Sequence, residues 1–367
     1  MKTRLTLHQT SISCSLGGQA FMVPRKWWAL CVVVVSTLAW ARGETVAGQA
    51  SRLYVGNSRG SSVSVLDLGS LKVVGEVNVG QHVHCVALTP DGHVLFTTAE
   101  VDQNLVMSDT RSGKTIATIS LPGKPNQCAV TPDGHFVTVP IRDKDSVVIV
   151  NVDERKIVKV LPIKEPHNSV NAGSNQYTFV SSMGSHEIDI IDFKKLDYAA
   201  HIPVGGRPRP FVVSRDGSTI YVAVSDLHGF NIVDVKSKTV IQTVQMPSQH
   251  PGPPRPREFE TPDTYTHGLA LSPDESELWV TSLLDDCIYI YDLKSKKITG
   301  RLDTGDGPNW VVFSPDGKYG CVSSTDSDDV SIFDVKKRTE VARVKVGKVP
   351  KRIAIAPVDA TSQSASR

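Results

Sequence analysis

The feature that most constrains this chain is a pentapeptide, Thr-Pro-Asp-Gly-His, written at 89–93 and again at 131–135. Its flanks match as well: "ALTPDGHVLFTTA" and "AVTPDGHFVTVPI" share their apolar positions. Degenerate copies follow as "GSNQ" at 173–176, "SRDGS" at 214, "SPDES" at 272, "SPDGK" at 314 and "APVD" at 356. A second marker keeps the same step. Asp67, Asp109, Asn151, Asp192, Asp234, Asp292 and Asp334 each close an apolar run, spaced 42, 42, 41, 42, 58 and 42 residues apart. Within a copy, short alternating runs rich in Val, Ile and Tyr are separated by turn residues, and no helical period occurs in the body of the chain. Such runs predict a four-stranded antiparallel meander. One meander cannot bury both of its faces alone, so seven of them close into an all-β, seven-bladed β-propeller. Three strands precede the first pentapeptide and one inner strand, 352–357, ends the series. The two ends are therefore expected to complete one blade together, hiding both edges. The Asp-Gly step is expected to turn the chain from the innermost strand to the next, through the positive backbone angles both residues tolerate.

Residues 1–41 read differently. Lys2, Arg4, Arg25 and Lys26 carry the basic excess, with no Asp or Glu; beyond Ala41 remain 36 basic and 38 acidic residues. That near-neutral body argues against a nucleic-acid surface. Arg25-Lys26 precede the apolar run "WWALCVVVVSTLAWA", which is short for a membrane span and suits a signal peptide with Ala39-Trp40-Ala41 at its cleavage site; Met22 is an alternative start. The expected organisation is a leader at 1–41, a linker at 42–51, the propeller at 52–359 and a polar tail at 360–367. The protein is then periplasmic or secreted, without a membrane span once the leader is removed, and a monomer, since a closed ring leaves no edge that demands pairing. Four cysteines remain: Cys85, Cys128, Cys287 and Cys321. No CxxCH or paired CxxC occurs, so no c-type haem attachment is encoded and no cofactor is expected. Cys85 stands four residues before its turn and Cys128 three, on opposite strand faces, so buried free thiols are expected, with a disulfide as the alternative.

The copies, for example "LYVGNSRGSSVSVLDLGSLKVVGEVNVGQHVHCVALTPDGH", resemble the YVTN-type β-propeller repeats of exported bacterial proteins, whose strand motif is seen here as "LYVGN" and "LWVTS". The resemblance implies the fold over about 52–359. It extends to haem-carrying propellers, surface-layer repeats and lactonases, so it leaves the chemistry open.

Chemistry is sought where the loops entering the inner strands gather. Five residues before each turn motif stand His84, Asn126, His167, Arg209, His267, Asn309 and Lys351, with His167 allowing for a one-residue deletion. All seven are polar. Three readings compete: polar groups that satisfy loop backbone at a wet channel mouth, a site for an anion or polar ligand, and a metal site of His84, His167 and His267 that Arg209 and Lys351 would oppose. The insertion at 246–268 brings Arg255, Arg257, Phe259 and Tyr265 as a candidate lid or partner loop. Asp285, Asp286, Asp326, Asp328 and Asp329, in loops on the same face, could hold calcium. No GxSxG, HExxH or phosphate loop is present. The leading expectation is a binding or interaction propeller for a small molecule or protein partner; a lactonase-like hydrolase using Arg209, or a propeller component of a periplasmic redox system, is the alternative.

Overall fold

In the computed structural model the described residues are 51–172, 174–248 and 263–357. The expected leader, the linker short of Ser51, the tail, and the lid residues Arg255, Arg257 and Phe259 lie outside them.

Seven four-stranded antiparallel sheets follow one another along the chain. The first blade holds β1 (Ser51–Asn57), β2 (Ser62–Asp67) and β3 (Lys72–Asn78). The second is β4 (Val83–Leu88), β5 (Val94–Ala99), β6 (Asn104–Asp109) and β7 (Thr115–Ser120). The third is β8 (Ala129–Val130), β9 (Phe136–Ile141), β10 (Ser146–Asn151) and β11 (Lys156–Pro162). The fourth is β12 (Pro166–Asn171), β13 (Tyr177–Ser182), β14 (Glu187–Asp192) and β15 (Asp197–Pro203). The fifth is β16 (Pro208–Val213), β17 (Thr219–Val224), β18 (Gly229–Asp234) and β19 (Thr239–Gln245). The sixth is β20 (Thr266–Leu271), β21 (Glu277–Ser282), β22 (Cys287–Asp292) and β23 (Lys297–Asp303). The seventh is β24 (Pro308–Phe313), β25 (Tyr319–Ser324), β26 (Asp329–Asp334) and β27 (Thr339–Lys345). Then β28 (Pro350–Pro357) returns to pair with β1, Leu53 opposite Ile355 and Val55 opposite Ile353, and the ring closes. The expected seven-bladed propeller is thus present, closed by its two ends.

The middle strands are nearly continuous apolar runs because each blade is covered on both faces. Leu53, Val55 and Leu66 pack toward Cys321, Val330 and Ile332 of the seventh blade, while Tyr54 and Val65 pack toward Val83, Val86 and Leu95 of the second. The same division recurs at every blade junction, giving seven apolar clusters. At about 25 cal/mol per Å² of apolar surface removed from water, these junctions are the main source of cohesion.

Both repeat markers have a physical role in the turns. In the pentapeptide, Thr89 Oγ1 accepts the Val94 N–H at 3.0 Å and donates to Asp91 Oδ1 at 2.5 Å, while Asp91 accepts the His93 N–H at 2.9 Å. Ser214, Ser272 and Ser314 repeat this arrangement. Only the glycine of Asp-Gly takes a positive φ, as at Gly92 (72°) and Gly134 (77°); the aspartate acts through its carboxylate, contrary to the expectation that both residues supply positive angles. At the second marker, the side chains of Asp67, Asp109 and Asp292 each accept a backbone N–H three residues on, at 2.6–2.7 Å, closing Asx-type turns.

The expectation of free thiols at Cys85 and Cys128 is corrected. They form a disulfide with Cα atoms 5.8 Å apart, joining the inner edges of the second and third blades, whereas Cys287 and Cys321 are free and buried. Strand parity does not apply to the pair, because Cys128 precedes the two-residue strand β8 and the β4–β5 register shifts between Val83 and Cys85. In a chain lacking residues 1–41, alkylation under denaturing, non-reducing conditions should modify two cysteines, rising to four after reduction. Cys128→Ser should lower the free energy of unfolding by about 2–4 kcal/mol, read from denaturant titration; four reactive thiols before reduction would refute the bridge.

Candidate functional site at the channel mouth

The inner strands β4, β12, β16, β20, β24 and β28, with β8 in the third blade, neighbour one another around the ring. Each full-length inner strand is bulged near its start. Pairing skips His84 between Val83 and Cys85, His167-Asn168 between Pro166 and Ser169, and Arg209-Pro210 between Pro208 and Phe211. It likewise skips His267-Gly268, Asn309 and, in β28, Lys351-Arg352. A bulge frees a residue from the alternating pleat and re-aims its side chain. The seven residues singled out by sequence therefore share one structural position, six at the unpaired step of a bulge and Asn126 just before β8, where its N–H bonds Pro140 O at 2.9 Å. Gly268 is needed for this crowding: a Cβ there would lie 2.7 Å from Asn309 O and 2.8 Å from Trp310 Cα.

Several of these side chains meet. The imidazoles of His167 and His267 stand edge to face with centroids 6.3 Å apart. His267 Nδ1 donates to Asn309 O at 2.9 Å, which sets its tautomer and leaves Nε2 as the basic nitrogen of the neutral ring. His167 is 6% exposed, and the Nδ1 atoms of His84 and His167 are buried with no hydrogen-bond partner. Burial, then the charge of Arg352, holds the pKa of both well below the usual imidazole value; Lys351 and His82 add to the effect at His84, and His267 and Arg209 at His167. These two rings are neutral at pH 7.

The cations are built in rather than free-standing. Arg209, 5% exposed, bonds Ser225 Oγ at 3.0 Å and Asp263 Oδ1 at 2.7 Å. Arg352, 1% exposed, donates to Asn309 Oδ1 at 2.8 Å and lies 4.3 Å from the Trp310 ring centroid. Toward the mouth, a cavity of about 360 Å³ is lined by His84, Asn126, Lys124, Pro125, Arg142, Glu100, Asp143 and Glu165. Tyr265, the described member of the proposed lid, is half-buried at the entry to β20, its carbonyl accepting the Leu283 N–H at 2.9 Å.

Sequence reading missed Arg352, Gln127, Asn168 and Trp310. All stand one residue after the ring position, in the series Cys85, Gln127, Asn168, Pro210, Gly268, Trp310 and Arg352, whose mixed chemistry hides the period. The metal reading of the three histidines finds no support in distance. Among the described residues the metal-ligand donor atoms that gather within 4.8 Å are those of Glu187, Asp189 and His201, on the outer strands β14 and β15. The acidic residues considered for calcium have protein partners: Asp285 accepts from Tyr289 Oη at 2.8 Å, Asp286 from the Gly307 N–H at 2.9 Å and Asp326 from Thr325 Oγ1 at 2.9 Å, and Asp328 and Asp329 pair with Lys348 and Lys345.

The depressed imidazoles have a testable consequence. An unfolded chain binds a proton on each as pH falls through about 6.5, whereas the folded chain does not. Their contribution to stability is thus fully present above that pH and is lost below it. Imidazole NMR signals of His84 and His167 should stay at their neutral positions from about pH 8 to pH 5.5, and His84→Gln or His167→Gln should flatten the acid side of the stability profile. Titration of either ring near its ordinary pKa in the folded chain would contradict this.

Comparisons with known proteins add a family. The cytochrome D1 haem domain matches residues 131–358. Protein NirF of Stutzerimonas stutzeri is 21% identical over 298 residues, 74% of this chain and 72% of that protein. Antigen Lp49 of Leptospira interrogans is 27% identical over 149 residues, 38% of this chain and only 29% of the antigen's length. Among solved structures, dihydro-heme d1 dehydrogenase NirN in complex with DHE superposes with a TM-score of 0.61 at 16% identity, covering 83% of this chain and 74% of that one, a likeness of fold. With the match to its repeats spanning blades three to seven and the closing strand, this chain belongs to the cytochrome D1 haem domain family.

Proposed function

We propose that this chain is the tetrapyrrole-binding propeller of a periplasmic haem d1-type redox system, holding its ligand at the channel mouth. The observation that carries the reading is the pair of neutral imidazoles, half-buried His84 and buried His167, whose Nδ1 atoms are buried and unpartnered and which feel the charge of the buried Arg352 guanidinium. A neutral imidazole is the form that donates to iron, and cationic side chains suit ring carboxylates. His267, whose Nδ1–H is anchored on a backbone carbonyl, has the arrangement in which an imidazole is oriented and made more basic at its other nitrogen. The donor set therefore fits the group that the family name implies.

In this reading His84, which lines the open cavity, supplies the nitrogen donor, and His167 and His267, edge to face with centroids 6.3 Å apart, complete the imidazole cluster. Arg209, Lys351 and Arg352 supply positive charge, and Asn126 and Asn309 fix orientation by hydrogen bonding. An iron tetrapyrrole, when bound, would supply one-electron redox chemistry. The protein's part is to bind it, exclude water and keep the imidazoles unprotonated. Export rests on the leader pattern at 1–41, and the matched family together with the dihydro-heme d1 dehydrogenase NirN supplies the haem d1 context. The chain is then a carrier or redox component that hands its ligand to, or receives it from, a partner protein.

Titration of the chain lacking residues 1–41 with haemin, followed by absorbance, should shift the Soret band with saturation near one equivalent. His84→Ala and His167→Ala should each weaken binding by at least about tenfold, or about 1.4 kcal/mol. A haemin spectrum unchanged by the protein, or equal binding by both variants, would end this reading.

A further inference from the structure

The channel has a second end, opening where the Ser/Thr-Pro-Asp-Gly turns leave the inner strands. A cavity of about 480 Å³ lies there, within the range of small-molecule sites. Neither the three histidines nor Arg209, Lys351 or Arg352 lines it. On one wall are Gln127, Asn168 and Ser169; facing blades supply Trp310, Val212 and Ala270.

The polar wall is unusual in what it leaves unsatisfied. Asn168 is 1% exposed, yet both its Oδ1 and its Nδ2 lack a partner. Gln127, 7% exposed, has an unpartnered Oε1, and Ser169, 3% exposed, an unpartnered Oγ. Gln127 and Asn168 sit side by side, joined by a parallel bridge in which the Ser169 N–H bonds Gln127 O at 3.2 Å. Buried amides are ordinarily hydrogen-bonded, and a missing partner is costly. Here the missing partners cluster on one wall of one cavity, and they call for an acceptor and a donor together. The rest of the lining is mostly apolar, with Asn171, Ser272 and Ser314 as further polar members; at the rim the Arg215 guanidinium donates to Pro273 O, and the Arg215 backbone N–H to a Glu275 carboxylate oxygen 2.6 Å away. Among the described lining residues the charged ones are Arg215 and Glu275, and neither is buried.

We infer that this end of the channel is a binding site for a small uncharged molecule carrying an amide, lactam or imide group on a flat apolar body. The amide group meets Asn168 and Gln127, and the body lies between Trp310, Val212 and Ala270. The site is separate from the mouth and does not depend on what the mouth binds.

Benzamide is a suitable probe and toluene its control, being of similar shape without the amide. Isothermal titration of the chain lacking residues 1–41 should show benzamide binding at least about tenfold tighter than toluene. Asn168→Leu should remove that preference, and Ala270→Phe, which fills the cavity without touching an amide, should abolish binding of both. Ala270→Phe carries the test alone should Asn168→Leu fail to fold. The inference is overturned if benzamide gives no binding heat at millimolar concentration, if toluene binds equally well, or if either folded variant binds benzamide as the parent does; the amides would then be served by water alone.

Discussion

The structure depends on the pairing of β28 with β1. Each blade is a small sheet with two apolar faces, and neither face can be left in water without losing the hydrophobic contribution that outweighs its ordering entropy. In an open row of seven blades two faces would remain uncovered and two sheet edges unpaired. Closure covers Leu53, Val55 and Leu66 of the first blade against Cys321, Val330 and Ile332 of the seventh. It does so with residues from opposite ends of the described chain, so no blade junction is independent of the others.

Closure also sets where chemistry can occur. Around the inner edge the strands converge, and a regular pleat would direct alternate side chains into the blade junctions. The bulges at the starts of the inner strands break that alternation, so a polar residue such as His167 can stand at the channel while its neighbours remain in the core. Crowding then does electrostatic work. Imidazoles packed beside Arg352 are cheaper to bury neutral than charged, so the fold itself tunes them.

Much of this was legible in the sequence because the repeat is unusually regular. A fixed step from each turn motif locates His84, Asn126, His167, Arg209, His267, Asn309 and Lys351 in one register, even through the shortened fourth copy. Sequence reading went wrong where it assumed ideal geometry. The disulfide was missed because parity was counted along strands that are bulged at Cys85 and absent at Cys128. Arg352 and Asn168 were missed because the register one step later runs through Cys85, Pro210 and Gly268, which look like core and turn residues. A period reveals positions that repeat in kind; it conceals a position whose chemistry is carried by only some of the blades.

That distinction bears on how such propellers diverge. Identity across the family is low because the blade junctions need only apolar volume, which many sequences supply. The bulge positions are under a different constraint, since several of their side chains meet near the axis, as His167 does with His267 and Arg352 with Asn309. Changing Arg352 to a neutral residue would alter the charge felt by His84 and His167 on separate blades at once. The two ends of the channel differ for the same reason: a pair of amides on adjacent inner strands, Gln127 and Asn168, leaves neutral polar groups unpartnered at one end, and the guanidinium of Arg352 stands among neutral imidazoles at the other. Function in this fold is therefore written in combinations of inner-strand residues, and overall similarity between chains is a poor measure of it.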